Sequence, residues 1–186
     1  MTSVPHIRDA VEQLAARNAL IVTARDIRQL GFHESSLRQY ARRHDDLLPL
    51  GHGVYQYFGL EEAQPQAYHD AEAVAALAIA GDNSYLAGSA VLNFYDLAYA
   101  NPDQIRVKTQ RRNRRQMPSW IQLEHVTRPE PTDQVRQVRL QKLPSALLEA
   151  NDIRKDYRLE AVEVAKSQGL LESRLAAHLL SQLESR

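Results

Sequence analysis

Apolar residues near the start of the chain recur with the spacing of an α-helix. Five of them follow the pattern i, i+3, i+4, i+7, i+8: Ile7, Ala10, Val11, Leu14 and Ala15. This spacing places them on one face of a helix with 3.6 residues per turn. It predicts an amphipathic helix over about residues 6–18, which Asn18 and the β-branched pair Ile21-Val22 end.

Two further helices are predicted from capping residues. Thr23 is a good N-cap for a short second helix, and Asp26 adds an acidic side chain to its first turn. Gly31 is a good left-handed C-cap for the same helix. Phe32 follows as a core residue, and a third helix is predicted from about Glu34 to His44.

The third helix separates apolar from polar side chains. Its apolar face carries Leu37, Tyr40 and Ala41. The opposite face carries Ser35, Arg38, Gln39 and Arg42, with Arg43 on its flank. A helix that reads the major groove needs such a polar front, since Arg pairs with guanine and Gln with adenine. Arg and Gln are also common on solvated helix faces, so that alternative stays open.

Residues 47–58 contain Gly51-His52-Gly53 at their centre, which predicts two short strands joined by a turn. Three helices followed by a small hairpin are typical of a winged helix-turn-helix. A polar stretch with Pro65 near its end follows, and we place the domain junction there. The predicted domains are residues 1–62, a winged helix-turn-helix, and 66–186, a mixed α/β domain in an α+β protein.

The second domain is predicted to contain helices, a small antiparallel sheet and terminal helices. The predicted helices cover about residues 66–80, 84–97, 144–150, 157–167 and 172–183. The predicted strands cover residues 104–109, 119–126 and 135–140. Ser84 and Ser89 lack a Gly-x-Ser-x-Gly context, so we interpret them as capping or packing residues rather than nucleophiles.

Charge is distributed very unevenly, although 23 Lys and Arg balance 23 Asp and Glu. Residues 61–105 hold no Lys or Arg against seven acids, whereas residues 106–143 hold ten against three. Six of these ten lie close together on or beside a predicted hairpin tip: Arg106, Lys108, Arg111, Arg112, Arg114 and Arg115. Such a cluster favours phosphate binding. Ion pairing with the acidic segment or a partner, or a plain solvated loop, are the alternatives.

Other classes of function find little support in the sequence. The chain has no cysteine, which excludes thiol catalysis and cysteine-ligated metals. Its seven histidines lack zinc-binding spacing, and no nucleotide-binding glycine motif is present. Pro102-Asp103 precedes a strand in which Arg106 stands where a metal-dependent nuclease needs an acid. We therefore predict no catalytic residue, no metal and no cofactor.

No apolar run approaches the ~20 residues of a membrane span, and the N-terminus lacks signal-peptide features. A cytoplasmic protein without a membrane partner is therefore expected.

Three segments of the chain resemble the N-terminal domain of AbiEi-type antitoxins, the regulators of type IV toxin–antitoxin (abortive infection) systems. These segments are residues 23–31, Leu37-Arg38-Gln39-Tyr40 and Gly51-His52-Gly53-Val54-Tyr55. The family's wing commonly brings an arginine, where this chain has Pro49, Leu50 and His52. A hydrogen bond from His52 is the contact expected of this wing. The segment around Ser84–Leu92 is similar to a helix of the family's second domain.

The resemblance implies a DNA-binding antitoxin that represses its own operon as part of phage defence. It also implies a nucleotidyltransferase-type toxin, neutralised without a stable complex. Two alternatives remain: an interaction module that grips an acidic partner with the cationic hairpin, and a transcription factor without a toxin. The sequence leaves monomer and homodimer open.

The predicted contacts with double-stranded operator DNA fall into two groups. The base-reading group is Ser35, Arg38, Gln39 and Arg42. The backbone group is Thr23, Arg43, His52, Arg106, Lys108, Arg111, Arg112, Arg114 and Arg115.

Overall fold

A computed structural model describes residues 6–60, 63–97, 104–128 and 130–185. Within these ranges the protein is a mixed α+β structure with eight helices and two small sheets. The chain divides into two compact units, residues 1–82 and residues 83–186.

The first unit places two helices between its first and second strands. Its elements are α1 (Ile7–Arg17), β1 (Ile21–Thr23), α2 (Ala24–Gln29), α3 (Glu34–Arg43), β2 (Leu47–Gly51), β3 (Val54–Tyr57) and α4 (Pro65–Ala80). The strands form an antiparallel sheet in the order β1-β3-β2. The three predicted helices and the hairpin are confirmed. The sequence pattern predicts only that Ile21 and Val22 end α1, but they belong to strand β1 and pair with β3. A strand of three residues is too short to show an alternation pattern.

The core of the first unit lies between its first three helices and the sheet. It is formed by Ala10, Val11, Ala15, Val22, Ile27, Leu37, Tyr40, Leu47 and Tyr57. The apolar faces predicted for α1 and α3 supply five of the predicted residues to this core, and Phe32 packs against it. Burial of these faces fixes the rotation of each helix, so the opposite faces point to solvent.

The division between the units falls after Asp82, later than the predicted junction at residues 62–66. The reason is that α4 packs against β1 and β3 and so belongs with the first unit. Pro65 lies in the first turn of α4, where its missing N–H costs no helical hydrogen bond. Its place in the sequence therefore marks a helix start rather than a domain boundary.

The second unit contains a five-stranded sheet and four helices within the described ranges. Its elements are β4 (Tyr85–Leu86), α5 (Ser89–Phe94), β5 (Ile105–Thr109), β6 (Ile121–His125), β7 (Thr132–Val135), β8 (Val138–Gln141), α6 (Leu143–Glu149), α7 (Lys155–Ser167) and α8 (Ser173–Glu184). The three predicted terminal helices are confirmed within two residues at each end. No helix of the described segments is long and apolar enough to cross a membrane.

The sheet of the second unit is mixed, so the prediction of an antiparallel sheet is wrong. Its order is β6-β5-β4-β8-β7, in which β5–β6 and β4–β8 are parallel. Because β5 and β6 run the same way, residues 110–120 form a crossover connection and not a hairpin tip. Local alternation reports which residues share a face, but it does not report strand direction.

Two predicted elements are interrupted by left-handed residues. The helix predicted over 84–97 is divided into β4 and α5 by Gly88, whose φ is +55°. The strand predicted over 135–140 is divided into β7 and β8 by a turn at Arg136, whose φ is +52°. Neither a helix nor a strand continues through a left-handed residue, and Arg136 gives no sequence signal for this conformation.

Candidate nucleic-acid interface

Helix α3 presents a polar face built on an apolar anchor. Arg38, Gln39, Arg42 and Arg43 are all exposed. On the opposite face Leu37 is fully buried and Tyr40 is 5% exposed. The structure therefore brings together four of the residues predicted to contact DNA. Their side chains make no ion pair or side-chain hydrogen bond with the described parts of the chain.

Tyr40 holds the end of α3. Its hydroxyl donates a hydrogen bond to Asp46 Oδ2 at 3.2 Å, and its ring stacks on His44 with centroids 4.2 Å apart. Burial and the charge of Asp46 raise the pKa of Tyr40 above its ordinary value. The hydroxyl therefore stays protonated and remains a donor, which fixes the exposed face of α3 relative to the core.

Ser35 lies at the beginning of α3 and is half-buried. His33 Nδ1 accepts the Ser35 N–H at 3.2 Å, and Ser35 Oγ lies 2.6 Å from the same nitrogen. The residue predicted to read a base edge is therefore engaged in the helix cap. His33, which the sequence analysis did not single out, is the residue that caps this helix.

Thr23 caps α2 as predicted. Its Oγ1 accepts the Asp26 N–H at 3.1 Å and donates to Asp26 Oδ2 at 2.7 Å. Both hydrogen-bonding functions of the hydroxyl are therefore used within the protein. A contact from Thr23 to phosphate would have to involve other atoms or break the cap.

The β2–β3 hairpin turns through Gly51-His52-Gly53, where His52 is exposed and adopts a φ of +50°. Gly53 has a φ of +76°, and its carbonyl accepts the Ala24 N–H at 2.8 Å. A Cβ added at Gly53 would lie 3.2 Å from Ala24 Cβ. The glycine thus allows the turn to lie against the start of α2.

Lys108 does not lie on an exposed cationic surface, and that prediction is wrong. Its side chain is 3% exposed, and its Nζ contacts Glu130 Oε1 at 2.8 Å and Glu149 Oε2 at 2.6 Å. The physical reason is that Glu149 of α6 and Glu130 cover this side of β5 and pair with the lysine. A DNA contact from Lys108 is excluded in this conformation.

Arg106 lies beside Lys108 and is also engaged within the protein. Its Nη2 contacts Glu124 Oε2 at 2.6 Å, and its Nη1 donates to the carbonyl of Glu149 at 3.3 Å. The ion-pairing alternative therefore describes these two residues, although their partners lie outside the acidic segment 61–105. Arg106 and Lys108 point the same way, as the alternation predicts.

Glu130 and Glu149 form a charged network around the buried Lys108, and their own side chains are half-buried. Burial lowers the pKa of Lys108, but the hydrogen bonds and charges of Glu130 and Glu149 outweigh it and raise the pKa overall. Burial likewise raises the pKa of Glu149, and the Lys108 hydrogen bond and charge reverse this to a net lowering. Both groups therefore hold their charges. No local sequence pattern points to the two glutamates, since they lie 22 and 41 residues from Lys108.

The remaining cations of the cluster lie on the connection between β5 and β6. Arg111, Arg112, Arg114 and Arg115 are all exposed. The Arg115 N–H donates to Asn113 Oδ1 at 3.0 Å. No carboxylate of the described ranges pairs with these four guanidinium groups. These four arginines make residues 110–116 a cationic loop.

The two serines that the sequence analysis interpreted as capping or packing residues are both buried. Ser89 is fully buried, and its hydroxyl donates to the Asp152 carboxylate. Ser84 is also buried. Among the residues that the structure describes, no group of three or more His, Asp or Glu is placed to hold a metal ion.

The chain was compared with known proteins. No family model matches it, and no curated protein matches it either.

Proposed function

We propose that the protein is a sequence-specific DNA-binding antitoxin that represses its own type IV toxin–antitoxin operon. The order α1-β1-α2-α3-β2-β3 supports a winged helix-turn-helix in the first unit, with α3 as recognition helix and the β2–β3 hairpin as wing. The single observation that carries the DNA-binding proposal is the exposed Arg38, Gln39 and Arg42 face of α3, held rigidly by buried Leu37 and Tyr40.

The other parts of the proposal have different support. The exposed arginines of the cationic loop support a sequence-independent contribution to affinity, because phosphate contacts release counterions. The role as antitoxin, and a nucleotidyltransferase-type toxin neutralised without a stable complex, rest on the sequence resemblance of residues 23–55. A cytoplasmic location belongs to the same proposal.

Binding to the region upstream of the protein's own gene tests the proposal. Fluorescence anisotropy would compare that duplex with a scrambled duplex of the same length. Arg38→Ala and Arg42→Ala should each reduce the preference for the upstream duplex by about 1–3 kcal/mol, or roughly 5- to 150-fold. Arg174→Ala, on the exposed surface of α8, removes the same charge and should leave the preference unchanged.

Two outcomes would contradict the proposal. The unaltered protein could fail to bind the upstream duplex at low salt, or bind both duplexes equally. A reporter gene behind the same upstream region tests repression, which Arg38→Ala and Arg42→Ala should relieve. Rescue of cells from an adjacent nucleotidyltransferase gene tests the antitoxin role separately.

A further inference from the structure

The parallel pairing of β5 and β6 brings two chain segments to the same edge of the second unit. Thr109 and His125 are paired at the carboxyl ends of these strands, and the Val126 N–H donates to the Thr109 carbonyl at 2.9 Å. Neighbouring strands lie about 4.8 Å apart. The cationic loop and residues 126–128 therefore leave the sheet side by side.

Arg128 lies three residues beyond His125 and is exposed. No carboxylate of the described ranges forms an ion pair with its guanidinium. Arg111 lies two residues beyond Thr109 on the neighbouring segment and is exposed as well. Arg128 lies sixteen positions after Arg112 in the sequence, and only the parallel direction of β6 places the two segments at one edge.

Both segments are tied to the sheet at their bases. The Arg111 N–H donates to Thr109 Oγ1 at 3.2 Å, and Thr109 is fully buried. Glu130, two residues after Arg128, accepts Lys108 Nζ at 2.8 Å and Gln141 Nε2 at 2.7 Å. Lys108 and Gln141 are 3% and 1% exposed, so this anchor is inside the protein. Lys108 thus makes no contact with phosphate itself, and it positions the segment that carries Arg128.

We infer that Arg128 joins the arginines of the cationic loop in one binding edge for the phosphates of a nucleic-acid duplex. This inference rests on the proposed DNA binding and adds a residue and a geometry to it. Exposed guanidinium groups pair with phosphate oxygens through two parallel hydrogen bonds, and each neutralised phosphate releases counterions. Arg128 therefore contributes affinity for any sequence and no preference between sequences.

The test measures the salt dependence of binding with the full chain and a random-sequence duplex. Loss of one phosphate contact reduces the slope of log K against log salt by about 0.9. The affinity advantage of the unaltered protein over Arg128→Ala should therefore shrink about 3-fold between 50 and 200 mM KCl. Arg128→Lys should restore most of the slope. Arg174→Ala, which removes an exposed charge from α8, should behave like the unaltered protein.

A slope for Arg128→Ala equal to that of Arg174→Ala would overturn the inference, while binding of the upstream duplex through α3 could stand. Salt-dependent binding that responds to Arg128 but shows no preference for the upstream duplex would support the inference and overturn the repressor proposal. Absence of any duplex binding at low salt would overturn both. Thermal unfolding of each variant verifies that these exposed substitutions leave the fold unchanged.

Discussion

At the scale of single residues, Thr23 links the sheet of the first unit to its second helix. It is the last residue of β1, where it pairs with Val54, and also the N-cap of α2. Its hydroxyl makes two hydrogen bonds to Asp26, one to the backbone and one to the side chain. One short side chain therefore joins the end of β1 to the first turn of α2.

Thr23→Ala should lower the free energy of unfolding by about 1 kcal/mol, because an N–H at the start of α2 loses its acceptor. Urea denaturation followed by circular dichroism measures the change. Thr23→Ser keeps the hydroxyl and serves as the matched control, with a loss well below that of alanine. Equal stability of the alanine variant and the unaltered protein would contradict the capping role.

At the scale of elements, β5 holds the second unit together through charged groups as well as apolar ones. Val107 is fully buried between β4 and β6, while Arg106 and Lys108 on the neighbouring positions engage α6 through Glu149. Lys108 also holds the segment after β6 through Glu130. A buried charge left without its partner is costly, so these contacts depend on one another.

The network predicts how stability depends on pH. The pKa of Glu149 is lowered from its ordinary 4.5, so its contribution is present above pH 4.5 and is lost as pH falls through the lowered pKa. The pKa of Lys108 is raised from 10.5, so its contribution is present below pH 10.5 and is lost as pH rises through the raised pKa.

Glu149→Gln should therefore cost about 1–3 kcal/mol at pH 7, because Lys108 loses a charged acceptor. The same variant should flatten the acid decline in stability. Urea midpoints measured from about pH 3 to about pH 8 test both expectations. Glu163→Gln on the exposed side of α7 is the matched control. An acid decline as steep in Glu149→Gln as in Glu163→Gln would contradict the assignment.

Local patterns predict local elements well in this chain and long-range pairing poorly. The helices α1, α3, α7 and α8 follow from apolar spacing, since each has one face buried by its neighbours. The direction of β6 does not follow, because parallel and antiparallel strands alternate in the same way. Alternation correctly placed Arg106 and Lys108 on one side of β5. Whether solvent or carboxylates cover that side depends on α6 and the segment at Glu130, which are distant in sequence.

At the scale of the whole molecule, the proposed functions divide between the two units. The exposed face of α3 belongs to the first unit and the cationic loop belongs to the second. The formal net charge of zero does not reveal the basic cluster, because the acidic segment 61–105 cancels it in the sum. At 0.1 M salt the field of each patch is screened within about 10 Å, so the patches act separately. Specificity and overall affinity are therefore expected to respond to different substitutions.

Replacing the four arginines of the cationic loop by alanine should weaken binding to the upstream and scrambled duplexes by the same factor. The slope of log K against log salt should fall by up to about 3.6, at 0.9 for each phosphate contact. Anisotropy titrations over a salt series measure both quantities. The control replaces four exposed cations, which are Arg154 just before α7 and Lys155, Lys166 and Arg174 within the terminal helices. A loss of affinity for the upstream duplex alone would contradict the assignment of specificity to α3 and of general affinity to the cationic loop.

The pairing of β4 with β8 sets an order for folding during synthesis. Leu86 pairs with Leu140, so the sheet of the second unit cannot close until 54 further residues have been made. Pairs of the first unit span at most the 35 residues from Ile21 to Gln56. Distant pairings close slowly, and domains fold in turn from the N-terminus. Helix α3 should therefore reach its native form on the ribosome before β8 joins the sheet of the second unit.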